Sequence, residues 1–175
     1  MIEKVDLNGT YAYKNFIDEG TKQTLLNWVD TNYESFVVNP ISVGRRYKIV
    51  LSEDPIYELV SNIKNKIIEL EGITDWKEEP MYYDFIGVNS EGSSIHIHSD
   101  KNEGDYIHTR WNLILSYPEG GGHSIYNGNV NILEENLIWK CIAGKHSHGS
   151  TEVIGSKPRI TLSLGFLIKE NQSIY

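Results

Sequence analysis

Apolar residues in the first half of the chain recur with a helical period. Ile56, Leu59, Val60, Ile63, Ile67 and Leu70 stand three and four residues apart, which puts one apolar stripe on a helix. Ser52 and Asp54 offer caps ahead of it, Pro55 suits its first turn, and Gly72 marks its stop. A shorter helix is predicted with Thr21 as cap, running through Leu25, Leu26, Trp28 and Val29. From about residue 80 the period falls to two, broken by Gly, Asn, Pro and Asp clusters. Strands are predicted near 43–51, 81–88, 94–100, 109–117, 123–127, 137–143 and 158–168. Many short strands between turns, with helices packed outside, predict a mainly β sandwich or barrel with flanking helices.

The polar half of the alternation leaves two readings. In 158–168, Ile160, Leu162, Leu164, Phe166 and Ile168 face one way, and Arg159, Thr161 and Ser163 the other. In 109–117, Arg110, Asn112 and Ser116 oppose Trp111, Leu113, Leu115 and Tyr117. Polar faces of half-buried antiparallel strands usually meet solvent. With two helices to cover the apolar faces, they can instead line a ligand-holding barrel.

Composition narrows the setting. The 175 residues are 39 % hydrophobic and 23 % charged, enough to bury one core in one domain. Sixteen Lys and Arg stand against 24 Asp and Glu, a formal net charge of −8. Such a field repels phosphate backbones and anionic lipid, so duplex nucleic acid and membranes are poor partners. The acid is concentrated in the front half, whereas 96–160 is nearly neutral. Cys141 is the single cysteine and has no internal disulfide partner. Met1 to Gly9 holds no apolar signal-peptide core, and a cytoplasmic setting is expected.

All six histidines, at 96, 98, 108, 123, 146 and 148, fall in that neutral stretch. In Ile95-His96-Ile97-His98-Ser99-Asp100 the alternation puts His96, His98 and Asp100 on one face of a strand. His98 and Asp100 are then spaced to share one metal ion; a surface strand end with a salt-linked histidine is the plainer reading. A second pair, His146 and His148, follows several strands later. Two histidines and one carboxylate leave metal positions open for substrate and oxygen, the non-haem Fe(II) arrangement, whereas zinc favours a tetrahedral set. Arg159, eleven residues beyond His148, points to the polar face of its strand. A buried arginine beside a metal needs an anion, and its planar fork suits a carboxylate. His108 and His123 read as rim or turn residues. Trp28, Trp76, Trp111 and Trp139 read as core or pocket walls.

Several local motifs follow one another along the second half of the chain. They are His98-Ser99-Asp100, the run Arg110 to Tyr117, Gly120-Gly121-Gly122, His148-Gly149-Ser150, Val153, Gly155 and Arg159-Ile160-Thr161. With them the stretch from Tyr83 to Ile168, about half of the chain, resembles the core of the Fe(II)/2-oxoglutarate-dependent dioxygenases. Both the prolyl-hydroxylase-like and the phytanoyl-hydroxylase-like branches are similar to it. The resemblance implies a double-stranded β-helix, a jelly-roll and cupin-like barrel, over 81–168. Residues 1–80 become its helical support and first strands within one domain.

The resemblance also implies roles. Fe(II) is held by His98, Asp100 and His148, which prefers His148 to His146 as the distal ligand. Arg159 holds the distal carboxylate of 2-oxoglutarate, with Thr161 beside it. Tyr117, seven residues after Arg110, matches a co-substrate tyrosine of some members, with ordinary packing as the equal alternative. Asn112, on the polar face, stands likewise. Arg110 either reaches substrate, as in prolyl hydroxylases, or pairs with an acid at the rim. The implied reaction consumes 2-oxoglutarate and O2, releases succinate and carbon dioxide, and hydroxylates a C–H bond. The expected substrate is a prolyl or other residue of a peptide or protein, with a free amino acid or small metabolite as the alternative. A cupin-like metal- or ligand-binding protein without oxygenase activity is the rival class. His96-Ile97-His98 followed by Glu103 echoes a cupin motif, but Arg110 stands where that motif needs glycine.

Overall fold

The computed structural model describes residues 1–40 and 42–172, and in it both expected helices form with different starts. Helix α1 (Glu19–Asn32) is capped by Asp18, whose carboxylate accepts from the Thr21 backbone N–H at 2.8 Å. Thr21 is thus the residue capped and not the cap. Helix α2 (Tyr57–Glu71) starts without a side-chain cap, because the Asp54 carboxylate accepts instead from the Leu51 N–H at 2.7 Å. Gly72 ends it as expected, at a left-handed φ of 61° that glycine takes at little cost. Ile56, Val60, Ile63 and Ile67 of the stripe are buried, but Leu70 is 43 % exposed. The core-facing stripe stops a turn early.

Strands β1 (Glu3–Leu7) and β2 (Thr10–Lys14) form a hairpin that no alternation announced. Strands β3 (Val37–Val38), β4 (Ser42–Ile49) and β5 (Trp76–Glu78) flank the barrel. The barrel itself begins with β6 (Phe85–His98), β7 (Tyr106–Ser116), β8 (Gly120–Gly121), β9 (Ser124–Tyr126) and β10 (Asn129–Asn131). It ends with β11 (Ile138–Cys141), β12 (His148–Ser150), β13 (Val153–Ile154) and β14 (Arg159–Lys169). The main sheet runs β1-β2-β11-β7-β14-β6-β12-β9-β10, with β4 also on β6, β3 on β4 and β5 on β14. Strands β8 and β13 pair separately.

The two strands predicted at 81–88 and 94–100 are one bent strand, β6. Its first half, from Phe85 to Asn89, pairs with β14, its end, from Ile95 to His98, pairs with β12, and β4 runs beside both parts, reaching Ser94 and Ile95. Gly92 turns between them at a φ of 77°. One strand therefore serves both layers of a sheet folded over on itself. Its start joins the layer of β2, β11, β7 and β14; its end joins β12, β9 and β10.

The alternation on β7 and β14 resolves in favour of a lined interior. Leu162, Leu164 and Phe166 join Trp111, Leu113 and Leu115 in one core with Leu25, Trp28, Ile63 and Ile67 of the helices. Full burial of each such side chain contributes about 1.5–3 kcal/mol, which holds these strands to one facing. Arg110, Asn112, Arg159, Thr161 and Ser163 then point inward and line a cavity. A second cluster, including Ile114, Tyr126, Leu137, Trp139 and Cys141, fills the rest of the interior.

Candidate active site

Strands β6 and β12 bring the candidate ligands together as cross-strand neighbours. His98 pairs in register with His148, and their ring centroids are 4.3 Å apart. Asp100 lies just past the end of β6, where its N–H donates to the Ala143 carbonyl at 2.9 Å. Its two carboxylate oxygens lie 3.6 Å from His98 Nε2 and 3.8 Å from His148 Nε2. One ligand atom from each residue falls within 4.8 Å of the other two, a spread that one divalent ion can bridge. The main chain aims both imidazoles: His98 Nδ1 is 2.7 Å from the His96 carbonyl, and His148 Nδ1 is 3.3 Å from that of His146. A carbonyl only accepts, so each Nδ1 carries the hydrogen and each Nε2 turns a lone pair to the centre. Burial lowers the pKa of His148, against the pull of Asp100, and favours the neutral ring a metal needs.

His96 does not share the face of His98. His148 pairs with His98 but Ser150 pairs with Ile95, so β6 carries one residue more than β12 across this step. Such a bulge breaks the period of two. Ile95 and His98 both line the cavity, whereas His96 is exposed and Ile97 is 61 % exposed. Gly149 makes the close approach possible, since a Cβ there would lie 2.7 Å from the Ile95 carbonyl oxygen. His146 turns its ring edge-on to Tyr126 at 5.3 Å. His96 and His146 therefore serve through their carbonyls. His148→Ala is expected to lose more than the roughly 10- to 100-fold in metal affinity that an outer-sphere partner costs. His146→Ala is expected to keep its affinity in the same Mn(II) titration; the reverse order would make His146 the ligand.

The far side of the cavity is cationic. Arg159, at the start of β14, is 4 % exposed and donates through Nη2 to Ser124 Oγ at 2.9 Å. Its Nε and the Thr161 hydroxyl are buried without a hydrogen-bond partner. Burial presses the Arg159 guanidinium down to about 10. Buried donors left unpaired cost stability, and a carboxylate set between these two groups would satisfy both. Asn112 lines the same cavity. Tyr117 does not: its hydroxyl lies 2.7 Å from His123 Nδ1 and accepts from the Leu133 N–H at 3.1 Å, and its ring packs on the interior cluster. It nonetheless lies close enough to Arg159 for the two to interact electrostatically, so packing and a co-substrate role both stay open for Tyr117.

Arg110 pairs with an acid that is buried and not at a rim, and it still lines the cavity. Its Nη2 donates to Glu79 Oε2 at 2.6 Å and its Nη1 to the Tyr83 carbonyl at 3.2 Å. Glu79 also accepts from the Met81 and Tyr82 N–H groups at 2.8 Å each, which ties the segment before β6 to the barrel. His108 is no rim residue either. It is buried with Nδ1 3.4 Å from Asp100 Oδ2, and burial together with the Arg110 charge presses its pKa down to about 4. Sequence reasoning missed Arg45, Glu79, Phe85 and Cys141. Arg45 sits in Gly44-Arg45-Arg46, which reads as a solvated strand end; only the register of β4 on β6 reveals that it points inward.

No protein-family model matches the chain, and no curated protein does. Solved structures do. A viral collagen prolyl hydroxylase from Paramecium Bursaria Chlorella virus-1, in its 2OG complex, superposes with a TM-score of 0.69 at 13 % identity, covering 95 % of this chain and 96 % of that one. A Trichoplax adhaerens prolyl hydroxylase, in complex with a hypoxia inducible factor oxygen degradation domain peptide fragment, gives 0.68 at 16 %, over 95 % and 86 %. The fold is the double-stranded β-helix of the Fe(II)/2-oxoglutarate-dependent dioxygenases. HygX from Streptomyces hygroscopicus, with nickel and 2-oxoglutarate bound, shares that double-stranded β-helix at a TM-score of 0.68 and 9 % identity, over 91 % and 83 %. The likeness is one of fold.

Proposed function

We propose that the chain is an Fe(II)- and 2-oxoglutarate-dependent dioxygenase that hydroxylates a substrate C–H bond while 2-oxoglutarate is converted to succinate and carbon dioxide. One observation carries this: a His-Asp-His cluster and an arginine with an unpaired buried donor line the same cavity. The residues fit both groups. His98, Asp100 and His148 hold a divalent metal, Arg159 pairs with the far carboxylate of 2-oxoglutarate, and the Thr161 hydroxyl donates to it. Phe85, Ile95 and Trp139 on the cavity wall keep water from the reacting atoms. Bound iron supplies the activation of O2, and the chain supplies position and dryness.

The substrate is read as a residue of a peptide or protein, prolyl among them, in line with the peptide complex of the Trichoplax protein. A free amino acid or small metabolite is the second reading. It gains from the pairing of Arg110 with Glu79, which already engages part of the guanidinium on which the peptide reading leaned. Incubating the protein with 2-oxoglutarate and O2, with and without Fe(II), tests the class. Iron-dependent succinate is the expected result. Its absence, with metal still bound, would leave the cupin-like metal-binding reading in place.

A further inference from the structure

One cation of the cavity has no part in the reading above. Arg45 on β4 pairs with Asn89, and Asn89 on β6 pairs with Arg159. The two arginines flank one residue on adjacent strands, and their heads diverge. Arg159 reaches Ser124, whereas the Arg45 head lies against Gly87, 5.2 Å from the centre of the Phe85 ring. Gly87 makes the space, since a Cβ there would fall 2.7 Å from Arg45 Nη2. Arg45 is 9 % exposed, and its Nε has no hydrogen-bond partner. Burial, with repulsion from Arg159 and Arg110, presses its guanidinium down to about 9, so it stays charged at neutral pH.

Counting charges decides what it faces. Glu79 matches Arg110 at 2.6 Å. With a divalent ion on the His-Asp-His set, Asp100 offsets one of its charges and the near carboxylate of 2-oxoglutarate the other. The far carboxylate matches Arg159. Arg45 keeps one positive charge that no acid among the described residues pairs with in a salt bridge; Asp100 and Tyr82 pull on it only from further off. We propose that Arg45 receives a carboxylate of the primary substrate, which makes that substrate a monoanionic acid; this rests on the oxygenase reading. Phe85, Tyr82, Ile95 and Trp139 line the same cavity and suit an aliphatic body carrying that carboxylate. A phosphate dianion would bring one charge too many into a buried site. A small free acid and the C-terminus of a peptide share the chemistry of a single carboxylate.

The test uses Mn(II)- and 2-oxoglutarate-loaded wild type, Arg45→Met and Gly87→Ala. The probes are free L-amino acids, the same amino acids as amides, and tripeptides with free or amidated C-termini, titrated calorimetrically. At least one free-carboxylate probe is expected to bind wild type, its amide about 30-fold or more weakly, and both variants to lose the difference. Whether free acids or tripeptides show it identifies the source. Arg45→Met is expected to retain 2-oxoglutarate affinity. Without metal and 2-oxoglutarate its thermal midpoint should rise, because an unpaired buried charge is gone, and that rise also shows it to be folded. A large fall in 2-oxoglutarate affinity in Arg45→Met would make Arg45 a second clamp on the co-substrate and overturn the proposal. Amides binding as tightly as acids would overturn it too, as would no binding by either. Wild-type Mn(II) protein that takes up no 2-oxoglutarate would overturn the oxygenase reading, and this proposal with it.

Discussion

Asp100→Ala is expected to abolish metal binding and turnover together. Asp100 gives the only carboxylate of the three-residue set, and among the described residues it is the one acid within 4 Å of the two histidines. Its Oδ2 lies 3.4 Å from His108 Nδ1 and 4.0 Å from Arg110 Nε. Alanine would leave two neutral imidazoles beside an arginine, a poor site for a dication. The loss should exceed the roughly 10- to 100-fold that follows removal of an outer-sphere partner. The fold should survive, because the tie from this position to Ala143 is made by the backbone. Mn(II) titration and succinate formation measure the two effects. Full activity in the variant would remove Asp100 from the set.

Arg159→Ala is expected to weaken 2-oxoglutarate and to spare the metal. Breaking one partner of a buried charge pair costs about 3–5 kcal/mol, since the other charge is left unpaired. At about 1.4 kcal/mol per decade, the dissociation constant should rise roughly 100- to 1000-fold or more. Arg159→Lys should lose less, keeping the charge but not the planar fork. Metal affinity without 2-oxoglutarate should barely move, because Arg159 reaches Ser124 and not the His-Asp-His set. Titrating 2-oxoglutarate into metal-loaded wild type and variant shows the difference directly. Equal affinities would pass the role to another cation of the cavity.

What was legible in the sequence follows from what is local. The faces of β14 could be read because burial sorts its side chains with a strict period of two. Ile160, Leu162 and Leu164 are drawn to the helices, and Arg159, Thr161 and Ser163 are left inside. The same rule failed at His96, where the bulge against β12 adds a residue that no single strand can announce. Arg45 was hidden for a related reason: its inward direction depends on pairing with Asn89, over forty residues away. Glu79 could be foreseen only as some acid near Arg110, since their contact is long-range. The caps failed locally, where two acids compete for nearby N–H groups and Asp18 and Asp54 choose by turn geometry.

The buried cysteine carries one last consequence. Cys141 ends β11 on the cavity wall, and burial, with Asp100 adding to it, holds its thiol well above the ordinary range. The thiolate is the form that attacks electrophiles, takes up oxidants and binds soft metals. A thiol kept protonated here is a small apolar wall group and a poor nucleophile.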